Sequence, residues 1–261
     1  MNYGFNIAAS GVLTSLHRQD VAANNLANIE TVGFKPDFSV TLPRQAARAE
    51  DGVWNLPSNA LLEKLGAGVL LAPTRTSFGQ GPIERTGNQL DVAIKGNGFL
   101  VVQGEGGKGG QADQPRLTRD GRLGINSSGQ LVTVIDRKPV LDEADRPIVL
   151  RPDLPVKIDS EGTITQGLQE VARLKFIDVP DKLRLKKEGT SLFSADAGVL
   201  AAATPADGEI VQKAVERSAV DPIMAMMGVQ DAANATAAGM RVMQIHDELT
   251  GRAIASLGRV A

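Results

Sequence analysis

His246, Asp247 and Glu248, with His17 as the chain's second histidine, are the residue types that could hold a metal or move a proton. Their spacing argues otherwise, because adjacent residues on a helix do not share a face and the i, i+4 histidine pair of a helical zinc site is absent. The group reads as solvated helix surface. Gly96-Asn97-Gly98 and the run from Gly104 to Gly110, with Lys108 inside it, offer amides and an ammonium to a phosphate. Neither has the P-loop spacing, and no helical pattern follows to add N-terminal amides, so they read as hairpin turns and a flexible loop. The amides of Asn24, Asn25 and Asn28 both donate and accept. At helical intervals of three and four they fix register or satisfy a turn, as a buried Asn does in a coiled coil. Met224, Met226, Met227, Met240 and Met243 resemble a soft-metal or peptide-binding surface, but at helical spacing they read as adaptable packing. No nucleophile with a base, paired acid or metal set emerges; no catalytic, cofactor-binding or metal residue is expected.

The elements that would position these residues are clearest at the two ends. Phe5, Ala9, Val12, Leu16, Gln19, Ala23 and Leu26 alternate by four and three, the 3.5-residue spacing of a coiled-coil seam. Their stripe is narrow and needs a partner. Beyond Asn28 the pattern stops, and Gly33 supplies a backbone free to take positive φ where the chain leaves the helix. At the other end Asp221-Pro222 is a strong helix start, Asp as cap and Pro at the first helical position. From there Met226, Val229, Ala233, Thr236, Met240, Met243, Asp247, Thr250, Ile254, Leu257 and Ala261 alternate again by three and four. Gly228, Gly239, Gly251 and Gly258 weaken this tail by about 1 kcal/mol each relative to alanine, so packing must complete it. Asp247, polar within the seam, is expected to pair with a basic residue such as Arg18 or with amides of a neighbouring helix.

Between the helices the signals change. Residues 36–65, with Pro36, Pro43, Gly52 and Pro57, read as a connector or arm. From 66 to 205 short apolar runs alternate with turn residues, which is β character. Leu90 to Gln103 reads as a strand pair around Gly96-Asn97-Gly98. Asn126-Ser127-Ser128-Gly129 and Asp159-Ser160-Glu161-Gly162 separate further strands. Ala201 to Pro205 reads as a linker. The expected fold is α+β: a mainly-β domain over 66–205, and an assembly domain in which 1–35 and 208–261 pair as a coiled-coil-like bundle.

Composition narrows the function classes. A net charge of -2 gives no field for nucleic acid or an anionic membrane. Aromatics at 3% leave few anchors for a ligand pocket, and 42% apolar content suffices for a core. The absence of cysteine rules out disulfides and thiol catalysis. The first residues lack the basic and apolar regions of a cleaved secretory signal.

Several motifs then fall in a recognisable order. Asn24-Asn25-Leu26-Ala27-Asn28 through Gly33-Phe34-Lys35 opens the series, followed by Thr86-Gly87-Asn88-Gln89-Leu90-Asp91-Val92-Ala93-Ile94, Gly96-Asn97-Gly98-Phe99 and Leu117-Thr118-Arg119-Asp120-Gly121-Arg122. Val211 to Ser218 and Arg241-Val242-Met243-Gln244 with Asp247-Glu248-Leu249 close it. In these the chain resembles bacterial flagellar rod and hook basal-body proteins, at this length the rod proteins. It departs from them at Ala219, where the family usually has Asn, and at Thr236 and Gly239, which replace an aromatic residue and Asn. The resemblance implies an axial subunit exported without a cleaved signal by the flagellum's type III apparatus. It further implies terminal helices that polymerise, line the rod's export channel and transmit torque, and a β domain facing outward. The implied partners are its own copies, other rod and hook proteins, surrounding ring proteins and the export apparatus, in the periplasmic rod, with no nucleic acid and no small-molecule substrate. Head-to-tail contacts that do not close generate such a filament. An oligomeric module whose β domain recognises a carbohydrate or surface partner is the competing class; an enzyme is the third.

Overall fold

The structure, a computed structural model, describes residues 3–46, 49, 52, 66–104 and 114–257. These fall into two compact units. A helical unit draws on 1–26, 37–75 and 221–261, and a β unit on 27–36 and 76–220. Helix α1 is Tyr3–Ala27, α2 is Ala197–Ala201 and α3 is Pro222–Leu257. The two terminal helices pack together and the region between them is β-rich, so the class is α+β as expected.

In the helical unit, α3 starts where the sequence says it should. Asp221 Oδ1 accepts from the amides of Ile223 at 2.9 Å and Met224 at 3.1 Å, satisfying two donors of the first turn. The strands Asp37–Pro43 and Val69–Thr76 form a two-stranded ribbon in the same unit. The first part of the expected connector is therefore strand: its pairing partner lies far along the chain, where local periodicity cannot reveal it. Residues 47, 48, 50, 51 and 53–65 of that connector lie outside the described residues.

The β unit is built from short strands. Its largest sheet runs Lys186–Glu188, Leu192–Ser194, Arg116–Thr118, Phe99–Val102, Phe176–Asp178 and Thr204–Pro205, antiparallel throughout. A second sheet holds Gln169–Arg173, Thr163–Gln166 and Val156–Ile158. Smaller pairs join Glu209–Gln212 to Val92–Lys95, Ala214–Glu216 to Ile83–Arg85 and Leu123–Ile125 to Leu131–Thr133. The fully buried Phe99, Val101, Leu117 and Phe193 form one core cluster. In it Phe78, Phe99 and Phe193 meet with centroids 5.2 to 5.9 Å apart. Val92, Ile94, Leu100, Leu131 and Ile164 belong to the other.

Three local expectations change. Val92–Lys95 and Phe99–Val102 are not a hairpin; each pairs elsewhere, and Gly96-Asn97-Gly98 carries the chain between sheets. Gly98, at φ 130°, sits where a Cβ would lie 2.3 Å from the Phe176 ring. Ala201 to Pro205 is not a linker, since α2 ends there and Thr204–Pro205 pairs with Phe176–Asp178. Residues 27–36 and 208–220, expected with the helices, pack in the β unit because 209–212 and 214–216 are strands of its sheets.

Candidate functional site

The helix pair is antiparallel. Gly228 lies against Ala22, Gly239 against Val12, and Gly4 against His246, so residue numbers rise on one helix as they fall on the other. Along α3 the residues that are not exposed are Ala225, Gly228, Val229, Ala232, Ala233, Thr236, Gly239, Met243 and His246, a stripe that returns every three or four residues. The stripe shares Val229, Ala233, Thr236 and Met243 with the expected seam but holds Ala225, Gly239 and His246 in place of the exposed Met226, Met240 and Asp247. The small residues Gly228 and Gly239 permit a close approach to Ala22 and Val12, which a methionine at those two positions would prop open. Buried Thr14 and Thr236 each satisfy their hydroxyl on their own helix, donating to Ser10 O and Ala232 O at 2.8 Å.

Among the expected assembly residues, Phe5, Ala9, Val12, Gln19, Leu26, Asn28, Val229, Ala233 and Met243 are half-buried and Asn25 is buried. Leu16, Ala23, Asn24, Met226, Met240, Asp247 and Ile254 face outward in the single chain, and the Leu257 side chain lies outside the described residues. Asn25 has a definite task. Its side chain donates to Asp37 O at 2.8 Å and accepts from Asp37 N at 2.9 Å, acting like a strand partner that ties α1 to the ribbon. Asn28 instead accepts from Thr31 Oγ1 at 3.2 Å in the turn after the helix. The antiparallel register places Arg18 near Ala232, some 15 residues or about 22 Å along α3 from Asp247, so these two do not pair within one chain.

The β unit holds a feature that sequence reasoning missed. The side chains of Lys35 and Glu216 are fully buried and that of Arg119 is 1% exposed. Lys35 Nζ donates to Glu216 Oε1 at 2.6 Å and to Gly79 O at 2.8 Å. Arg119 Nη1 donates to Glu216 Oε2 at 3.2 Å, its Nη2 to Gly96 O at 3.0 Å, and its guanidinium stands 5.2 Å from the Phe99 ring centroid. The amide of Gly81 adds a third donor to the carboxylate at 2.8 Å. One acid faces two bases, and removing either side from such a buried arrangement costs about 3–5 kcal/mol. Lys187 Nζ covers the Phe34 ring at 3.6 Å and donates to Lys35 O at 2.7 Å.

Local backbone supports this cluster. Gly33 has φ 69° and donates to Glu216 O at 2.7 Å; a Cβ there would stand 2.5 Å from the Arg119 carbonyl. Gly121 leaves no room either, its Cβ falling 1.6 Å from Val92 O. Burial pushes the Lys35 ammonium below its ordinary value, opposed by the Glu216 carboxylate. Asp120 is pushed up by burial, opposed by the hydrogen bonds and charge of Arg122. Arg119 Nε and Asp120 Oδ2 are buried without a hydrogen-bond partner, a cost borne by the folded state. The cluster joins the Gly33-Phe34-Lys35, Arg119-Asp120-Gly121 and Glu216-Arg217-Ser218 motifs, which lie up to 181 residues apart. A charge set between apolar residues, as in Phe34-Lys35-Pro36, is the signal that could have exposed it.

The residues first considered for chemistry do not converge. His246 packs on Gly4, and no group of three His, Asp or Glu suited to a metal occurs among the described residues. Residues 105–110 of the glycine run, Lys108 included, lie outside them. No described helix is long and apolar enough to cross a membrane.

Comparison with known proteins agrees with the motif order. Residues 5–35 match the family model described as flagella basal body rod protein. A flagellar basal-body rod protein FlgF of Caulobacter vibrioides is 30% identical over 261 residues, covering all of both chains. A flagellar basal-body rod protein FlgG of Agrobacterium fabrum is 28% identical over 93% of this chain and 95% of its own. A flagellar hook protein FlgE of Treponema pallidum is 33% identical over 47% of this chain but 26% of its own.

Proposed function

The chain belongs to the flagellar basal-body rod protein family, and from that premise we propose that it is a structural axial subunit of the rod that polymerises through its terminal helices. The observation that carries this reading is the outer face of α3. Ile223, Met227, Ile245 and Leu249 are 54 to 69% exposed, and at 3.6 residues per turn they lie on the side of α3 away from Ala232 and Thr236. Met226 and Met240 are exposed on its flanks, as are Leu13 and Leu16 on α1. A helix with one face packed on its partner and large apolar side chains along another is built to be covered again. Copies of the chain, with other rod and hook subunits, are the covering surfaces.

On this reading the helix pairs bundle around the axis and border the export channel, and the β unit carries torque and meets surrounding ring proteins in the periplasmic rod. Delivery by the export apparatus follows from the same assignment. Ile245→Asp with Leu249→Asp tests it. The purified variant should keep the parent's helix content and unfolding midpoint, while cells carrying it build no functional flagellum. Normal motility in that variant rejects polymerisation through this face.

A further inference from the structure

The covalent chain passes between the two units at four places, after residues 26, 36, 75 and 220. On the β-unit side, every one of these exits is held at the same buried cluster. The segment 27–36, which carries two of them, is fixed by Gly33 N to Glu216 O at 2.7 Å and by Lys35 Nζ to Glu216 Oε1 at 2.6 Å. The exit at 75 is fixed two residues later, where Ser77 N donates to Pro36 O at 2.9 Å. Further along the same segment, Gly79 O accepts from Lys35 and Gly81 N donates to Glu216 Oε1, both at 2.8 Å. The exit at 220 follows Glu216 directly, with Arg217 N on Pro82 O at 2.8 Å and Ala219 N on Phe34 O at 3.1 Å.

We propose that the Lys35–Glu216–Arg119 cluster is a common root for all four exits, holding them as one rigid body inside the β unit so that a twist applied through the chain reaches that unit at a single point. The physical case is the choice of groups. Ordinary strand pairing would hold two exits at a time and let each fray alone, since terminal segments open with little free energy. A carboxylate with three donors from three segments couples them: none leaves without uncovering a buried charge, which costs far more than one amide bond. Lys35 Nζ reaches both Gly79 O and Glu216, adding a second bridge between the same segments. The inference rests on the rod reading for its purpose, while the bonds themselves lie wholly within the β unit.

The test is hydrogen exchange on the purified full chain, comparing the parent with Glu216→Gln and with Lys35→Met/Glu216→Gln, which keeps the cluster's net charge by removing one of each sign. The root predicts exchange faster by roughly tenfold or more at the amides of Gly33, Ser77, Gly81, Arg217 and Ala219. The core amides of Leu131 and Leu174, bonded to Ile148 O and Gly162 O, should hold their parental rates. A uniform rise across both sets overturns the proposal, as does no change, or a double variant that fails to fold. The experiment needs no assembled rod, so a failure of the rod reading shows separately, in the motility of the α3 variant.

Discussion

Gly239 of α3 lies directly against Val12 of α1, so close that a Cβ added at 239 would stand 2.5 Å from Val12 Cγ2. On an isolated helix Gly239→Ala is favourable by about 1 kcal/mol. Here the methyl has nowhere to go, because a valine in a helix has one strongly preferred rotamer and cannot swing aside. Gly239→Ala should therefore lower the stability of the helix pair by about 1–3 kcal/mol. Val12→Ala in the same chain should recover part of it, with a coupling energy of about 0.5–3 kcal/mol by double-mutant cycle in urea. A Gly239→Ala chain more stable than the parent rules out the contact.

Gly33 makes a harsher demand. Its φ of 69° costs a side-chain-bearing residue about 1–2 kcal/mol. The Cβ would also fall 2.5 Å from the Arg119 carbonyl, which is backbone and does not yield. Gly33→Ala should destabilise the β unit by more than about 2 kcal/mol in chemical denaturation. A loss within about 0.5 kcal/mol, the range of an ordinary surface change, contradicts the geometry.

Asp120 gives a pH signature. Burial raises its folded-state pKa above the ordinary 3.8, so the folded chain holds this proton more tightly than the unfolded one. Its contribution to stability is full below 3.8 and is lost as pH rises through the raised value. Asp120→Asn removes the titration while leaving an acceptor for the Arg122 amide, which now donates to Asp120 Oδ1 at 3.1 Å. The stability of the variant relative to the parent should therefore improve as pH is raised from about 3.8 to neutrality. A difference that stays flat, or falls, refutes the assignment.

Much of this was legible in the sequence, and the failures share a cause. The α3 start at Asp221-Pro222 and the turns at Asn126–Gly129 and Asp159–Gly162 rest on local chemistry, and these features are present as read. The exact seam was not legible. A hydrophobic pattern weights Met226 and Met240, whereas the packed line runs through Ala225, Ala232 and Gly239, where small size sets how closely two helices meet. Lys35, Arg119 and Glu216 escaped for a different reason. Each belongs to a recognised motif, but a charged residue read alone is assigned to the surface, and only the fold brings them within 3.2 Å. The ribbon strand 37–43, read as connector, was hidden the same way, by the distance to its partner 69–76.

The central claim is that the outer face of α3 is covered in the assembled rod, and the chain's lack of cysteine makes this measurable with single thiol probes. Met227→Cys, Ile245→Cys and Leu249→Cys should each react rapidly with a maleimide in the purified monomer, where these positions are 54 to 57% exposed. Incorporated into isolated basal bodies, the same three thiols should become protected, while one at Leu168, fully exposed at a hairpin tip of the β unit, serves to show that reagent reaches the rod. Equal reactivity of the α3 thiols in monomer and basal body would contradict assembly through this face.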